Sequence, residues 1–252
     1  MIEDPHAAVR ISLARNSSYI TRMNTCLFLT FRFPGALSAA ETAALEGLLH
    51  STPALAKALI HTAASASDPY VEHASPQLVL QLYFAQLPAL EAAAARAGPL
   101  AALCAPDQFP VLAKAEIVQQ AMLVRHFAVP DPKLRNAKGE PHCTYLVSYE
   151  GEAEDPHAWH SHYLENHPKL MVTFPGIREL EIYTRLDWVS GLPWSRVNFM
   201  QRNKVAFDST EALTQALNSP VRREMRAEFK AFPRFTGPNK HFAMATHVVL
   251  PH

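Results

Sequence analysis

The chain has 252 residues, of which 48% are apolar and 18% charged, with 23 basic side chains against 23 acidic ones. This composition supports a buried core and excludes intrinsic disorder, and the length suits two domains of roughly 120 residues. The zero formal charge, without a lysine or arginine run, excludes a strongly basic surface for nucleic acid or an anionic membrane. The eight glycines form neither a GxGxxG nor a GxxxxGK(S/T) motif, which excludes the standard nucleotide-phosphate loops.

The cysteines and the N-terminus indicate the compartment. The three cysteines, Cys26, Cys104 and Cys143, are odd in number and far apart, which favours reduced thiols over a disulfide framework. The N-terminus carries acidic residues at once and lacks the apolar core of a signal peptide. No apolar run reaches the roughly 18 residues that a membrane-spanning helix needs. We therefore expect a soluble cytoplasmic protein.

A segment with flanking prolines, a glycine and mixed charges, Asp131–Pro141, has no periodicity and indicates a linker. It divides the chain into an N-terminal extension at 1–23, a first unit at 24–130 and a second unit at 142–252. The two units share one plan, in which an apolar strand is followed by a capped helix, two further strands, a second helix and a last strand.

The first unit is the less regular of the two. Its patterns predict, in order, a strand at Cys26–Phe33, a helix capped by Ser38 with Glu41, a weak strand around Ile60, a strand at Gln77–Phe84, a helix from Leu87 and a strand at Met122–Pro130. The second unit predicts a strand at Cys143–Tyr149, a helix with Asp155 at its N-cap and Pro156 at its first turn, strands at Arg178–Thr184 and Val197–Phe207, a helix entered at Asp208–Glu211 and a strand at Ala243–Pro251.

The order β-α-β-β-α-β is that of the ferredoxin-like motif. Its antiparallel sheet carries helices on one face and needs a partner for the other face. Two copies in one chain can supply that partner to each other. The predicted fold class is therefore α+β, with two tandem ferredoxin-like units whose antiparallel sheets pack as an intrachain dimeric α+β barrel, and with a cavity between sheet and helices.

Histidines cluster on the predicted helix that follows Asp155. His160 and His162 would be a metal-binding pair on a strand, but a helix turns them about 200° apart. His160 and His167 do share a helix face, yet no HExxH motif or Cys/His quartet accompanies them, so we predict no metal site. His167 lies inside the apolar stripe of the helix, where an imidazole can act as a general acid or base. The alternative is a core histidine bonded to a backbone carbonyl.

The stretch with Trp159, Tyr163, His167, Leu170, Pro175–Ile177 and Tyr183 resembles the EthD family of the dimeric α+β barrel superfamily. Val205–Ala212 is similar to the entry into the second helix of that family. The resemblance covers about 144–249, and the first unit resembles the family only in outline. Tyr163 stands where the family prefers tryptophan, which is a mild departure. The resemblance implies that His167 is the signature position and faces the cavity.

Further candidates follow from strand parity and from a loop rich in tryptophan. His247 and His126 hold matching places on the last strands of the two units and either line a shared cavity or are buried and hydrogen-bonded. Arg178 and Tyr183 either orient a ligand or belong to a solvated strand edge. Trp188 and Trp194 lie in one loop, which suits a pocket lid or a subunit interface. We expect Arg222, Arg223 and Arg226 to form a solvated helix face.

The resemblance implies a protein that binds a small apolar or aromatic compound, polyketide-like in kind, with no cofactor. His167 would move a proton in an isomerisation, a dehydration or a cofactor-free oxygenation, while Tyr163 and His247 assist. The predicted ligand contacts are His160, Trp159, Arg178, Tyr183, Trp188, Trp194 and His126. One alternative is a haem-binding tandem barrel of the chlorite dismutase or dye-decolorising peroxidase kind. Another is a non-enzymatic binding protein. A homodimer is compatible with each function, and we expect no nucleic acid or membrane as a partner.

Overall fold

Nine strands, five α-helices and two short 3₁₀ helices (Pro99–Cys104 and Leu112–Lys114) form the regular structure of residues 24–69 and 74–249, which the computed structural model describes. The first half contains β1 (Thr25–Arg32), α1 (Ala39–Ser51), β2 (Leu55–Ala63), β3 (Leu78–Phe84), α2 (Leu87–Ala93) and β4 (Glu116–Phe127). The second half contains β5 (His142–Tyr149), α3 (Pro156–Met171), β6 (Ile177–Arg185), β7 (Ser195–Arg196), β8 (Gln201–Phe207), α4 (Thr210–Leu217), α5 (Pro220–Phe229) and β9 (Asn239–Val249). The expected N-terminal extension at 1–23 lies outside the described residues.

The predicted helix starts are confirmed by their caps. The Ser38 hydroxyl accepts a hydrogen bond from the Glu41 amide, and the Glu41 carboxylate accepts one from the Ser38 amide. The Asp155 carboxylate accepts a hydrogen bond from the Ala158 amide at the start of α3. Each cap side chain accepts a hydrogen bond from a backbone amide that has no partner inside the helix. This contact fixes where the helix begins.

Several predicted element boundaries were wrong. The last strands of both halves begin earlier than predicted, at Glu116 instead of Met122 and at Asn239 instead of Ala243, and β8 begins later, at Gln201 instead of Val197. The second helix of the second half is split into α4 and α5. Pro220 has no amide hydrogen to continue a helix and instead occupies the first turn of a new one.

The strands form one antiparallel barrel, apart from the short parallel β7 beside β4. The strand order is β4-β1-β3-β2 in the first half and β9-β5-β8-β6 in the second. The halves join where β2 pairs with β9 and where β4 pairs with β6, so that the strands close into a ring. Each junction joins the second strand of one half to the last strand of the other. Within the described ranges, no helix is long and apolar enough to cross a membrane.

Alternation along the strands divides the buried residues into three cores. In β1, Leu27 and Leu29 pack towards α1 and α2, whereas Cys26 and Phe28 point into the barrel. Because both faces are buried, the strand reads as a continuous apolar run. The third core lies between the second-half sheet and α3 to α5, and it borders the cavity described below.

The barrel interior also holds a buried polar network. The Lys204 ammonium lies 2.6 Å from the Glu181 carboxylate and donates to the Tyr83 hydroxyl at 2.8 Å. Tyr83 donates to Glu181 at 2.6 Å, and Tyr183 donates to the same carboxylate. Gln81 donates to both tyrosine hydroxyls. Because these polar groups satisfy one another, two sheets can pack face to face around them.

Candidate functional site

A cavity of about 280 Å³ lies between the second-half sheet and helices α3 and α5. This volume is near the lower end of the range for small-molecule pockets, about 300–1,000 Å³. Most of its wall is apolar, formed by Val147, Met171, Phe174, Val205, Met225 and Phe229. Polar side chains meet it around His167 and around Tyr145, and Arg226 and Lys230 also line it. The cavity therefore suits a compact apolar ligand that carries a few polar atoms.

The first polar group is a buried pair formed by His167 on α3 and Glu228 on α5. Nδ1 of His167 lies 2.6 Å from a carboxylate oxygen of Glu228, and 5% of His167 is exposed. A carboxylate at this distance favours the tautomer in which Nδ1 carries the proton, so that Nε2 keeps a lone pair. Within the described residues, Nε2 makes no hydrogen bond. His162 also approaches Glu228, at 3.3 Å from the second carboxylate oxygen.

An aromatic stack holds the His167 ring in place. The Trp159 and Tyr163 rings are stacked with their centroids 5.0 Å apart, and Tyr163 lies 4.7 Å from the His167 ring. The Tyr163 hydroxyl accepts a hydrogen bond of 2.6 Å from the Asn203 amide group. Burial raises the pKa of Tyr163 well above its ordinary value, so its hydroxyl stays protonated at neutral pH. These contacts leave the imidazole little rotational freedom.

The second polar group surrounds Tyr145 on β5. The Tyr145 hydroxyl lies 2.5 Å from the Asp68 carboxylate and 2.7 Å from Nδ1 of His241. The Arg222 guanidinium donates to Asp68 at 2.9 Å, and Nε2 of His241 lies 2.7 Å from the Asn239 side-chain oxygen. Asp68 comes from the loop after β2, so the first half supplies a residue to a site on the second half.

Arg222 corrects one sequence-based expectation. We expected it on a solvated helix face together with Arg223 and Arg226, but Arg222 is buried against Asp68. The helical period explains the difference, because Arg222 shares the inner face of α5 with Met225 and Phe229. That spacing was readable in the sequence and could have placed Arg222 at the cavity.

Of the predicted site residues, the structure brings Trp159, Tyr163 and His167 together, and His160 borders them. The His160 ring lies 5.4 Å from the Trp159 ring, and burial lowers the pKa of His160. His160 does not line the cavity. We predicted a ligand contact for it from its shared helix face with His167.

The remaining candidates lie away from this cavity. Tyr183 faces the barrel interior, and His126 lies 2.9 Å from Glu181 at the edge of the same network. His247 lies 3.6 Å from Glu46 at the outside of the barrel. Arg178 is held by Asp208 and Asp131, and Trp188 and Trp194 pack on the first-half core.

Sequence reasoning missed three residues that line the cavity, Tyr145, Arg222 and His241, and two that contact lining residues, Asp68 and Glu228. Tyr145 could have been found from strand parity, since it shares a face of β5 with Val147 and Tyr149. Asp68 and Glu228 carry no local signal, because their partners are distant in the chain. Within the described part of the chain, no group of three or more His, Cys, Asp or Glu side chains has a metal-binding arrangement.

No protein-family model and no curated protein matches this chain. Among solved structures, an anthrone oxidase-like protein is 13% identical, with a TM-score of 0.59 over 90% of this chain and 94% of its own. A "putative monooxygenase" of Fusobacterium nucleatum is 10% identical, with a TM-score of 0.53 over 90% of this chain and 93% of its own. An EthD family protein of Bacillus halodurans is 20% identical and covers 40% of this chain and 95% of its own, with a TM-score of 0.33.

Identities this low concern the fold alone. The first two matches extend over nearly the whole chain and agree with the observed ring of strands. The expected dimeric α+β barrel is thereby confirmed as a fold. The chain has a mixed α+β structure in which an antiparallel eight-stranded barrel is surrounded by helices, the fold of the dimeric α+β barrels.

Proposed function

We propose that this chain is an EthD-like protein built by internal duplication of a ferredoxin-like unit. The two units occupy 24–130 and 142–252, joined by the linker at 131–141. The strand orders β4-β1-β3-β2 and β9-β5-β8-β6 support the duplication. If the barrel strands of each unit are counted along the chain, both orders are last, first, third and second. The two junctions of the barrel, which use equivalent pairs of strands, support it further.

In this proposal the second unit binds a small apolar or aromatic compound, of a polyketide-like kind, and His167 takes a proton from it. The observation that carries the proposal is the His167–Glu228 pair beside a cavity whose wall is largely apolar. A carboxylate that holds Nδ1–H leaves Nε2 as the base, and a largely apolar wall favours a carbon acid over water as its partner. Trp159 and Tyr163 serve as positioning residues, since they pack the imidazole.

Removal of a proton from carbon is the first step of isomerisation, of many dehydrations and of cofactor-free oxygenation. The proposal is therefore tested on that step. Anthrone is a suitable probe, because it is compact and aromatic and carries an acidic methylene group opposite a carbonyl. Under nitrogen in deuterated buffer, the protein should accelerate exchange of the methylene protons, as followed by NMR. We expect His167→Asn to slow this exchange by about 10²-fold or more.

His157→Asn provides a matched control, since His157 is an exposed histidine on the same helix. It should exchange the probe at the wild-type rate. Equal rates in wild type and in His167→Asn would overturn the proposed role of His167.

Two other functions make different predictions. A histidine whose Nδ1 is held by a carboxylate is also suited to ligate haem iron, and His167 would be that ligand. The cavity of about 280 Å³, however, leaves little room for a porphyrin. A Soret band in the purified protein would favour haem over the proposal. A non-enzymatic binding protein would bind anthrone without accelerating the exchange.

A further inference from the structure

The hydroxyl of Tyr145 is the centre of a proton-sharing cluster on the cavity wall. It has one proton and two acceptors within hydrogen-bond distance, the Asp68 carboxylate at 2.5 Å and Nδ1 of His241 at 2.7 Å. Arg222 lies 2.9 Å from the Asp68 carboxylate and 3.5 Å from His241. The hydroxyl can therefore pass a proton to one neighbour while it receives a proton from the other.

The orientation of His241 supports this exchange. Its Nε2 lies 2.7 Å from the side-chain oxygen of Asn239, which requires a proton on Nε2. Nδ1 then either accepts the Tyr145 proton or, in the imidazolium form, donates to the Tyr145 oxygen. The two arrangements differ only in which of His241 and Asp68 holds the cluster's additional proton, and Tyr145 connects them.

The Tyr145 cluster and the proposed base contact helix α5 at two different points. Arg222 and Glu228 are six residues apart on α5, which corresponds to about 9 Å along a helix axis. Arg222 contacts the Tyr145 cluster, and Glu228 contacts His167. Met225 lies between them and lines the cavity. A compact ligand in the cavity would thus have a base on one side and a hydroxyl donor on the other.

We propose that Tyr145 is a second catalytic residue, which delivers a proton to an oxygen atom of the ligand while His167 removes a proton from a ligand carbon. This inference rests on the proposed function of His167. The ligand loses one proton from carbon and gains one on oxygen, so its composition and oxidation state do not change. The protein gains one proton on His167 and loses one from the Tyr145 cluster, and exchange with solvent restores both. The reaction class is therefore an isomerisation, from a ketone to its enol or phenol.

Burial agrees with a donor role for Tyr145. Its side chain is almost entirely buried, and burial raises the pKa of Tyr145 well above its ordinary value. A tyrosine in this state retains its proton until a ligand oxygen of developing negative charge accepts it. His241 or Asp68 can then return a proton to the tyrosine.

The experiment uses anthrone under nitrogen, which prevents its oxidation. Deuterium incorporation at the methylene group reports the step at His167, and the absorption spectrum distinguishes the neutral enol, anthrol, from its anion. With the protein in excess over anthrone, the spectrum reports the bound ligand, and wild type should incorporate deuterium and show no bound anion. Tyr145→Phe should incorporate deuterium about 10²-fold more slowly, because the oxygen that gains negative charge has lost its proton donor, and its bound enol should be the anion.

Tyr83→Phe is the matched control. It removes another buried tyrosine hydroxyl that is bonded to a carboxylate, in the barrel interior and away from the cavity. It should behave as wild type, and circular dichroism should confirm that both variants are folded. Asp68→Asn removes the carboxylate of the cluster and offers a second variant, which should also slow deuterium incorporation and show the bound anion.

The outcomes separate the two proposals. If Tyr145→Phe and Asp68→Asn both incorporate deuterium at the wild-type rate and show no bound anion, the role of Tyr145 is overturned and the role of His167 stands. If wild type does not accelerate deuterium incorporation, the proposed function itself is overturned, together with the inference that rests on it.

Discussion

Glu228 fixes both the tautomer and the orientation of His167, so it should matter to the reaction without touching the ligand's reacting atoms. The change Glu228→Gln keeps the size of the side chain but removes the charge that faces Nδ1 at 2.6 Å. We expect the rate of anthrone exchange to fall about tenfold or more, with the affinity for anthrone nearly unchanged. NMR exchange rates and a fluorescence titration measure the two quantities.

Glu224→Gln is the matched control, because Glu224 is exposed on the same helix. It should leave both quantities at their wild-type values. A Glu228→Gln protein with an unchanged exchange rate would show that His167 does not need the carboxylate.

At the scale of elements, two glycines hold the loop before α3 against the segment before β9. A Cβ atom on Gly237 would lie 2.0 Å from the Cα of Gly151, which is backbone and cannot yield. The contact places Phe235 against Trp159, whose ring centroids lie 5.8 Å apart. We expect Gly237→Ala to lower the free energy of unfolding by about 1–3 kcal/mol, the usual cost of overpacking.

Gly47→Ala is the opposite case and serves as the comparison. Gly47 is exposed inside α1, and an added Cβ would meet nothing within 4 Å. The change should raise the free energy of unfolding by about 0.5–1 kcal/mol, since alanine restricts the unfolded chain and favours helix. Urea unfolding measures both variants. Equal effects of the two changes would contradict the close approach of the loops.

At the scale of the whole molecule, the buried polar interior of the barrel makes stability depend on pH. Burial lowers the pKa of His61 to about 3 and that of His142 to about 4, whereas an unfolded chain has a value near 6.5. Between these values the unfolded chain binds more protons than the folded one. The contribution of the neutral histidines to stability is therefore complete above about pH 6.5 and is lost as the pH falls towards 4.

Urea unfolding between about pH 7.5 and pH 5 should show this loss, with a slope of up to about 1.4 kcal/mol per pH unit for each histidine. His61→Gln should reduce the slope, even though it also lowers stability at neutral pH. A free energy of unfolding that stays constant over this range in wild type would contradict the burial of neutral histidines in the barrel.

A feature could be predicted from the sequence when the residues that form it lie close together in the chain. Ser38 and Asp155 cap their helices through contacts within a few residues, and both helix starts were predicted correctly. His167 was predicted to face a cavity from helical phase and resemblance, and it does line one. Its carboxylate partner could not be predicted, because Glu228 reaches it only when α5 folds back on α3.

The second polar group illustrates the same limit across the two halves. Asp68 precedes Tyr145 by more than 70 residues and contacts it across the halves of the barrel. Among the predicted ligand contacts, His126 alone lies in the first half, which resembles the family only in outline. The position of Asp68 gives the first half a part in the site, which depends on strand pairing that no local pattern encodes.

Both proposals require that the cavity between the second-half sheet and α3 and α5 holds a small aromatic ligand. Titration of anthrone into the protein under nitrogen, followed by ligand fluorescence, measures this binding when wild type is compared with Met225→Trp. Met225 lines the cavity, so a tryptophan there should fill it and raise the dissociation constant at least about tenfold, equivalent to 1.4 kcal/mol. Val189→Trp is the control, because Val189 is 65% exposed, and it should bind as wild type does. Equal affinity in wild type and Met225→Trp would show that anthrone does not bind in this cavity.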